Sequence, residues 1–162
     1  MANMMNAITR ARETLDRQYP DVSYECDEHS IAAAPRSGEG FPVRLVVDEK
    51  ELAESEKSAQ ENGHPDPDIF PYAVHLDLGH EAHWSEGFSD AEDAIEWFLF
   101  GLSNRCRLKY EWRGRKCCRT TVEYLDGDQW KVHSRRGFVF SAFRKTCMIE
   151  YKRNVVDVRV GE

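Results

Sequence analysis

Three histidines, His75, His80 and His83, fall within nine residues, beside Asp77 and Glu81. Neutral imidazole is the commonest protein ligand for metals and titrates near neutral pH, so such a cluster suits a metal centre or acid–base chemistry. On a strand, His75 and Asp77 would share one face, and a following loop could turn His80 or His83 toward them. The spacing is one residue short of H-E-x-x-H, whose i, i+4 separation puts both histidines on one helical face with a glutamate base. Gly79 before the pair and Ser85-Glu86-Gly87 after it predict a loop. The plainer alternative is a polar loop and strand face.

Other reactive side chains carry less. The five cysteines cannot all pair within one chain, no C-x-x-C spacing occurs, and Cys117 and Cys118 on one strand would point to opposite faces. They are expected to be reduced and structural. Ser37, Ser85 and Ser89 lack a G-x-S-x-G context, and there is no glycine-rich phosphate loop. No cofactor is expected.

Charge supplies a different kind of site. The 162 residues carry a formal net charge of −7, yet residues 1–104 hold 7 basic and 22 acidic residues while residues 105–162 hold 15 basic and 7 acidic. The halves could neutralise each other within one fold, or the basic half could face an acidic partner. Much of the basic half alternates with apolar residues as an antiparallel meander would, and alternate turns of a meander lie at one end. Arg113, Arg115 and Lys116 at one turn would then neighbour Arg135 and Arg136 at the next. The face opposite the apolar one would carry Arg107, Lys109, Arg119, Lys131 and His133, mixed with Glu111 and Glu123.

The leading expectation is a non-enzymatic protein-interaction module using this basic sheet end, its partner an acidic protein surface or the chain's own acidic segment. The alternatives are a nucleic-acid-binding domain, with Trp112 as a stacking ring, and a metal-dependent or acid–base enzyme using the histidines. An overall acidic protein is repelled on average by polyanions, which places nucleic acid second.

Positioning such sites requires a fold. The length fits one domain, 1–162, and 41% hydrophobic residues suffice for a core. The longest apolar run, Trp97 to Leu102, is far short of the roughly 20 residues that cross a bilayer, and the first residues have no signal-peptide pattern. A soluble, cytoplasmic protein with no membrane contact is expected.

Met4, Ile8, Ala11 and Leu15 make one helical stripe ending near Tyr19. Short strands fit Val22 to Cys26, Ser30 to Ala34 and Phe41 to Asp48, with a turn at Ser37 to Gly40. Residues 49–70 hold a mostly solvated helix and a proline-rich stretch, read as an acidic flexible insertion. Tyr72 to Leu78 alternates as a half-buried strand. Ser89 and Glu92 stand in capping-box relation before a helix over Asp90 to Ser103 that is apolar nearly all round in its second half. Strands then fit Cys106 to Trp112, Cys118 to Tyr124, Trp130 to His133, Phe138 to Phe143, Thr146 to Lys152 and Val155 to Val160, with a hairpin at Asp126-Gly127. The fold class is α+β: an N-terminal helix, short strands, and a buried central helix packed on a C-terminal antiparallel meander. The aromatic supply suits a filled core, or a small-molecule cavity beside that helix.

Overall fold

The computed structural model describes residues 2–137 and 148–154, with side chains from Ala7 onward. The side chain of Met4 and the strands expected at Phe138 to Phe143 and Val155 to Val160 lie outside the described residues.

The first helix, α1 (Ala2–Gln18), buries Ile8, Ala11 and Leu15 of the stripe expected from their spacing, and Ala7 beside them. Five strands follow in sequence order as one antiparallel sheet: β1 (Tyr24–Cys26), β2 (Ser30–Ala33), β3 (Val43–Val47), β4 (Tyr72–Leu76) and β5 (Trp84–Phe88). Their alternation is strict on β3 and β4, where Val43, Leu45, Val47, Tyr72, Val74 and Leu76 face inward. The segment after β3 is a regular helix, α2 (Glu49–Asn62). Asp48 accepts from the Lys50 and Glu51 amides at its start, and Gly63, at φ 80°, closes it in the left-handed conformation. It buries Leu52 and Ser55 and exposes most of the rest.

β5 falls where Ser85-Glu86-Gly87 led us to expect a loop. The segment is recruited by pairing, Leu76 opposite Trp84 through Tyr72 opposite Phe88. Gly87 is needed because the Phe70 ring lies over it, and a Cβ there would sit 2.9 Å from that of Phe70.

The central helix, α3 (Ala91–Leu102), is capped by Asp90, not by Ser89: the Asp90 carboxylate accepts from the Glu92 and Asp93 amides at 2.7 and 3.3 Å. Ala94, Ile95, Phe98 and Leu102 are buried, and α3 packs on β3, β4, β5 and α1 while also touching β6 of the second sheet. That two-sided contact explains its wide apolar surface. Gly101 allows the approach, because a Cβ there would lie 2.7 Å from Leu76 Cδ2 and about as close to Val43.

The second sheet has the order β8-β7-β6-β9, built from β6 (Cys106–Arg113), β7 (Lys116–Asp126), β8 (Gln129–Gly137) and β9 (Met148–Arg153). Gly114 and Gly127 turn the two hairpins with φ of 61° and 59°. Two expectations are corrected. Arg136 and Gly137, expected in a turn, pair with Thr120 and Arg119 as the last residues of β8, and β9 pairs antiparallel with the free edge of β6 and not with β8.

Asn154, just beyond β9, explains where that strand goes. It is wholly buried, its amide nitrogen donating to the carbonyls of Phe41 and Gly101 at 2.9 and 3.0 Å. Its carbonyl oxygen accepts from the amides of Arg36 and Phe41 at 3.1 and 3.2 Å. One side chain thus joins the end of β9, the β2–β3 connection and the last turn of α3. Asn154→Ala would strand these backbone groups, and we expect a loss of about 2–4 kcal/mol in urea unfolding. A loss below about 0.5 kcal/mol, the size of an ordinary surface change, would mean the knot is dispensable.

Candidate functional site

The histidines do not converge on one point. β4 ends at Leu76, and Asp77 takes a left-handed φ of 59°, which turns its carboxylate away from the face of His75. Asp77 is instead buried between the sheets, accepting from Tyr110 Oη at 2.8 Å and Lys152 Nζ at 2.7 Å. Burial and the neighbouring Asp77 charge push the Tyr110 hydroxyl far above the usual tyrosine range, so it remains a donor.

His80 packs its ring on Tyr110 and Trp112, with centroids 4.7 and 5.4 Å apart, and its Nδ1 accepts from the Ala82 amide. His83 comes nearer to His75, with ring centroids 6.2 Å apart. Among the described residues, no three His, Cys, Asp or Glu side chains gather closely enough to hold a metal ion. Burial raises the thiols of Cys26, Cys106 and Cys117 above their usual range, which opposes thiolate chemistry.

His75 meets cations instead. It lies opposite Arg44 on β3 and Ser85 on β5, facing away from the core of the first sheet. Arg44 donates to Ser30 Oγ at 3.0 Å, and Arg136 reaches across from β8 to the carbonyl of Ser85. His75 Nδ1 and Arg44 Nε are buried and make no hydrogen bond among the described residues.

The basic residues divide by partner. Arg107 pairs with Glu123 at 2.6 Å and lies over the rings of Trp130 and Tyr151 at 4.2 and 4.5 Å. Arg119 pairs with Glu111 at 3.4 Å, and Lys131 with Asp126. Lys109, Arg115, Lys116 and Arg135 have no ion pair among the described residues. Arg113 lies at the end of β6, directly opposite Lys116. Arg135 and Arg136 lie on β8 toward the end of the sheet that holds the Arg113–Lys116 turn, but Arg136 sits opposite Thr120, four residues along β7 from Lys116, or about 14 Å. The expected gathering of five charges is drawn out into a band.

A bulge also changes which residues face outward. Val122 lies opposite Ser134 and Glu123 opposite Val132, leaving His133 without a partner in the ladder. The extra residue reverses the alternation. Trp130 and Val132 therefore face outward with Glu123 and Arg107, while Lys131 and His133 turn toward α3, the reverse of the placement expected from strict alternation. The face turned away from α3 carries the row Arg135, Thr121, Lys109, Tyr151, in which Thr121 is itself buried, flanked by Ile149 and Val132.

On the inner side, His133 lies 4.4 Å from the ring of Trp97, which also stacks on Trp84 at 5.3 Å and meets Phe100 edge-on at 5.0 Å. Beside this cluster a cleft of about 410 Å³ opens between α3 and the second sheet, lined by Glu96, Trp97, Phe100, Arg105, Tyr124 and His133. Strict period-2 reading hides this cleft, because it needs the bulge to bring His133 inward.

The pH behaviour of His75 follows from its surroundings. Burial, with His83, Arg44 and Arg136 nearby, holds its pKa below the ordinary histidine value. As pH falls below about 6.5 the unfolded chain protonates His75 before the folded chain does, so stability falls with it. His75→Gln should flatten the stability curve measured by urea unfolding between about pH 7 and pH 5. An unchanged slope would show that His75 titrates as freely folded as unfolded.

No family model, curated protein or solved structure matches this chain.

Proposed function

We propose that this chain is a non-enzymatic binding module that receives an acidic protein segment on the outward face of its second sheet. The carrying observation is a mixed surface: Val132, Ile149 and Tyr151 are 40%, 49% and 48% exposed, on one face with Lys109 and Arg135, which have no ion pair among the described residues. Exposed apolar side chains beside unpaired cations suit a segment that alternates carboxylates with apolar residues. The basic turn at Arg113, Arg115 and Lys116 extends the same surface at its end.

The partners of α2 support an external occupant over the chain's own acidic segment. Glu49 lies 3.6 Å from His29, Glu51 accepts from the Phe70 amide, and Glu61 pairs with Lys57. The contacts to His29 and Phe70 tie that helix to segments flanking the first sheet, and the Lys57 pair occupies Glu61 within the helix.

The test uses a synthetic Glu/Leu-rich peptide and a single-stranded oligonucleotide of equal charge as probes. We expect the peptide to bind at low salt, and Arg115→Glu, Lys116→Glu and Arg135→Glu together to weaken it by about tenfold or more. Tyr151→Ala should weaken it at every salt concentration. Absence of peptide binding, indifference to the triple reversal, or tighter binding of the oligonucleotide would each overturn this reading.

A further inference from the structure

We propose that the cleft between α3 and the second sheet is a mononucleotide site. The base lies against the aromatic walls, its exocyclic amino group donates to Glu96, and the phosphate is held by Arg105. This site is separate from the outward sheet face and does not depend on the function assigned to that face.

The walls come first. Trp97, Phe100, Tyr124 and His133 line one cleft of about 410 Å³, within the range of about 300–1,000 Å³ typical of small-molecule sites. Such rings favour a planar, π-bearing ligand over an aliphatic one, and every nucleobase presents that face. Trp97 is itself held by Trp84, Phe88 and Phe100, so the wall it offers is rigid before any ligand arrives.

The two charged lining groups then narrow the ligand. Glu96 is exposed and makes no hydrogen bond or ion pair among the described residues, unlike Glu92 one turn earlier, which pairs with Arg10. As a carboxylate it can only accept, so it calls for a donor on the ligand. Arg105 is steadied by one bond, from a terminal guanidinium nitrogen to the Leu125 carbonyl at 3.3 Å, and its remaining donors suit an anionic oxygen. A purely apolar aromatic ligand would leave both groups unanswered.

Spacing separates the remaining candidates. Glu96 lies six residues before Leu102, where α3 ends, so at 1.5 Å per residue it stands about 9 Å from the end of the helix that leads to Arg105. An aromatic amino acid carries its ammonium and carboxylate on one carbon, whereas Glu96 and Arg105 enter the cleft from different elements, the middle of α3 and the residue just before β6. A mononucleotide carries its amino-bearing base edge and its phosphate at opposite ends. The single guanidinium matches one phosphate, where a polynucleotide strand would present a series.

The experiment titrates the full chain with AMP, IMP and adenosine by calorimetry, with tryptophan fluorescence as a second readout for Trp97. AMP should bind saturably with a Kd below about 1 mM. IMP, which lacks the amino group, and adenosine, which lacks the phosphate, should each bind about tenfold more weakly. Arg105→Ala should reduce AMP to the affinity of adenosine and leave adenosine unchanged, and Glu96→Ala should abolish the preference for AMP over IMP. Both positions are exposed, and a far-ultraviolet spectrum matching the parent confirms that the variants are folded. No saturable AMP binding at millimolar concentration, AMP binding that is indifferent to Arg105→Ala, or far tighter binding of a short adenine oligonucleotide would overturn the proposal.

Discussion

The buried carboxylate of Asp77 is the constraint around which the two sheets are arranged. It belongs to the end of β4 in the first sheet, while its donors, Tyr110 and Lys152, belong to β6 and β9 of the second. A carboxylate taken out of water costs several kcal/mol unless it is paired and hydrogen-bonded, so the sheets are held in the one arrangement that presents both donors. Asp77 reaches them only by adopting a positive φ, and that turn carries the chain away from the His75 face. The same bond that joins the sheets thus separates Asp77 from the histidines it neighbours in sequence.

What could be read from sequence was what short-range chemistry determines. The stripe of α1, the alternation of β3, β4 and β6, and the Gly114 and Gly127 turns all follow from spacing and turn residues, whereas the start of β7 loses its expected alternation at Cys118, which the ladder skips so that Cys117 pairs with Trp112. The capping of α3 was misplaced by one residue, because Ser89 and Asp90 both have cap chemistry and only the backbone conformation selects Asp90. β5 was not legible, since Ser85, Glu86 and Gly87 have no strand preference of their own and are ordered by β4 and the Phe70 ring. The return of β9 to β6 is dictated by Asn154 and Lys152, whose partners lie far away in the sequence.

The candidate sites show the same division. The basic residues were legible as types, and their outward or inward placement on β8 was not, because one bulged histidine reverses the alternation before it. His133 was expected on the solvent face and is instead part of the Trp97 cluster, whereas Trp130 was expected in the core and instead lies under Arg107 and Arg153. The cationic band and the aromatic cleft are therefore two sides of one sheet, set by the same irregularity. His75 and Arg44 were legible singly, but their cross-strand pairing depends on the register of β3 against β4.

The knot at Asn154 also bears on how the chain reaches its native state. Its bonds to Phe41 span 113 residues and its bond to Gly101 spans 53, while the Lys152 bond to Asp77 spans 75. Closing loops of this length costs entropy before any contact rewards it, so topologies rich in such pairings fold slowly. The helices and the hairpins β1–β2, β6–β7 and β7–β8 can form early from near neighbours. The strand at residues 148–153 closes the longest of these loops, and it adds its bonds to those by which Tyr110, Thr120 and Ser134 already join the two sheets.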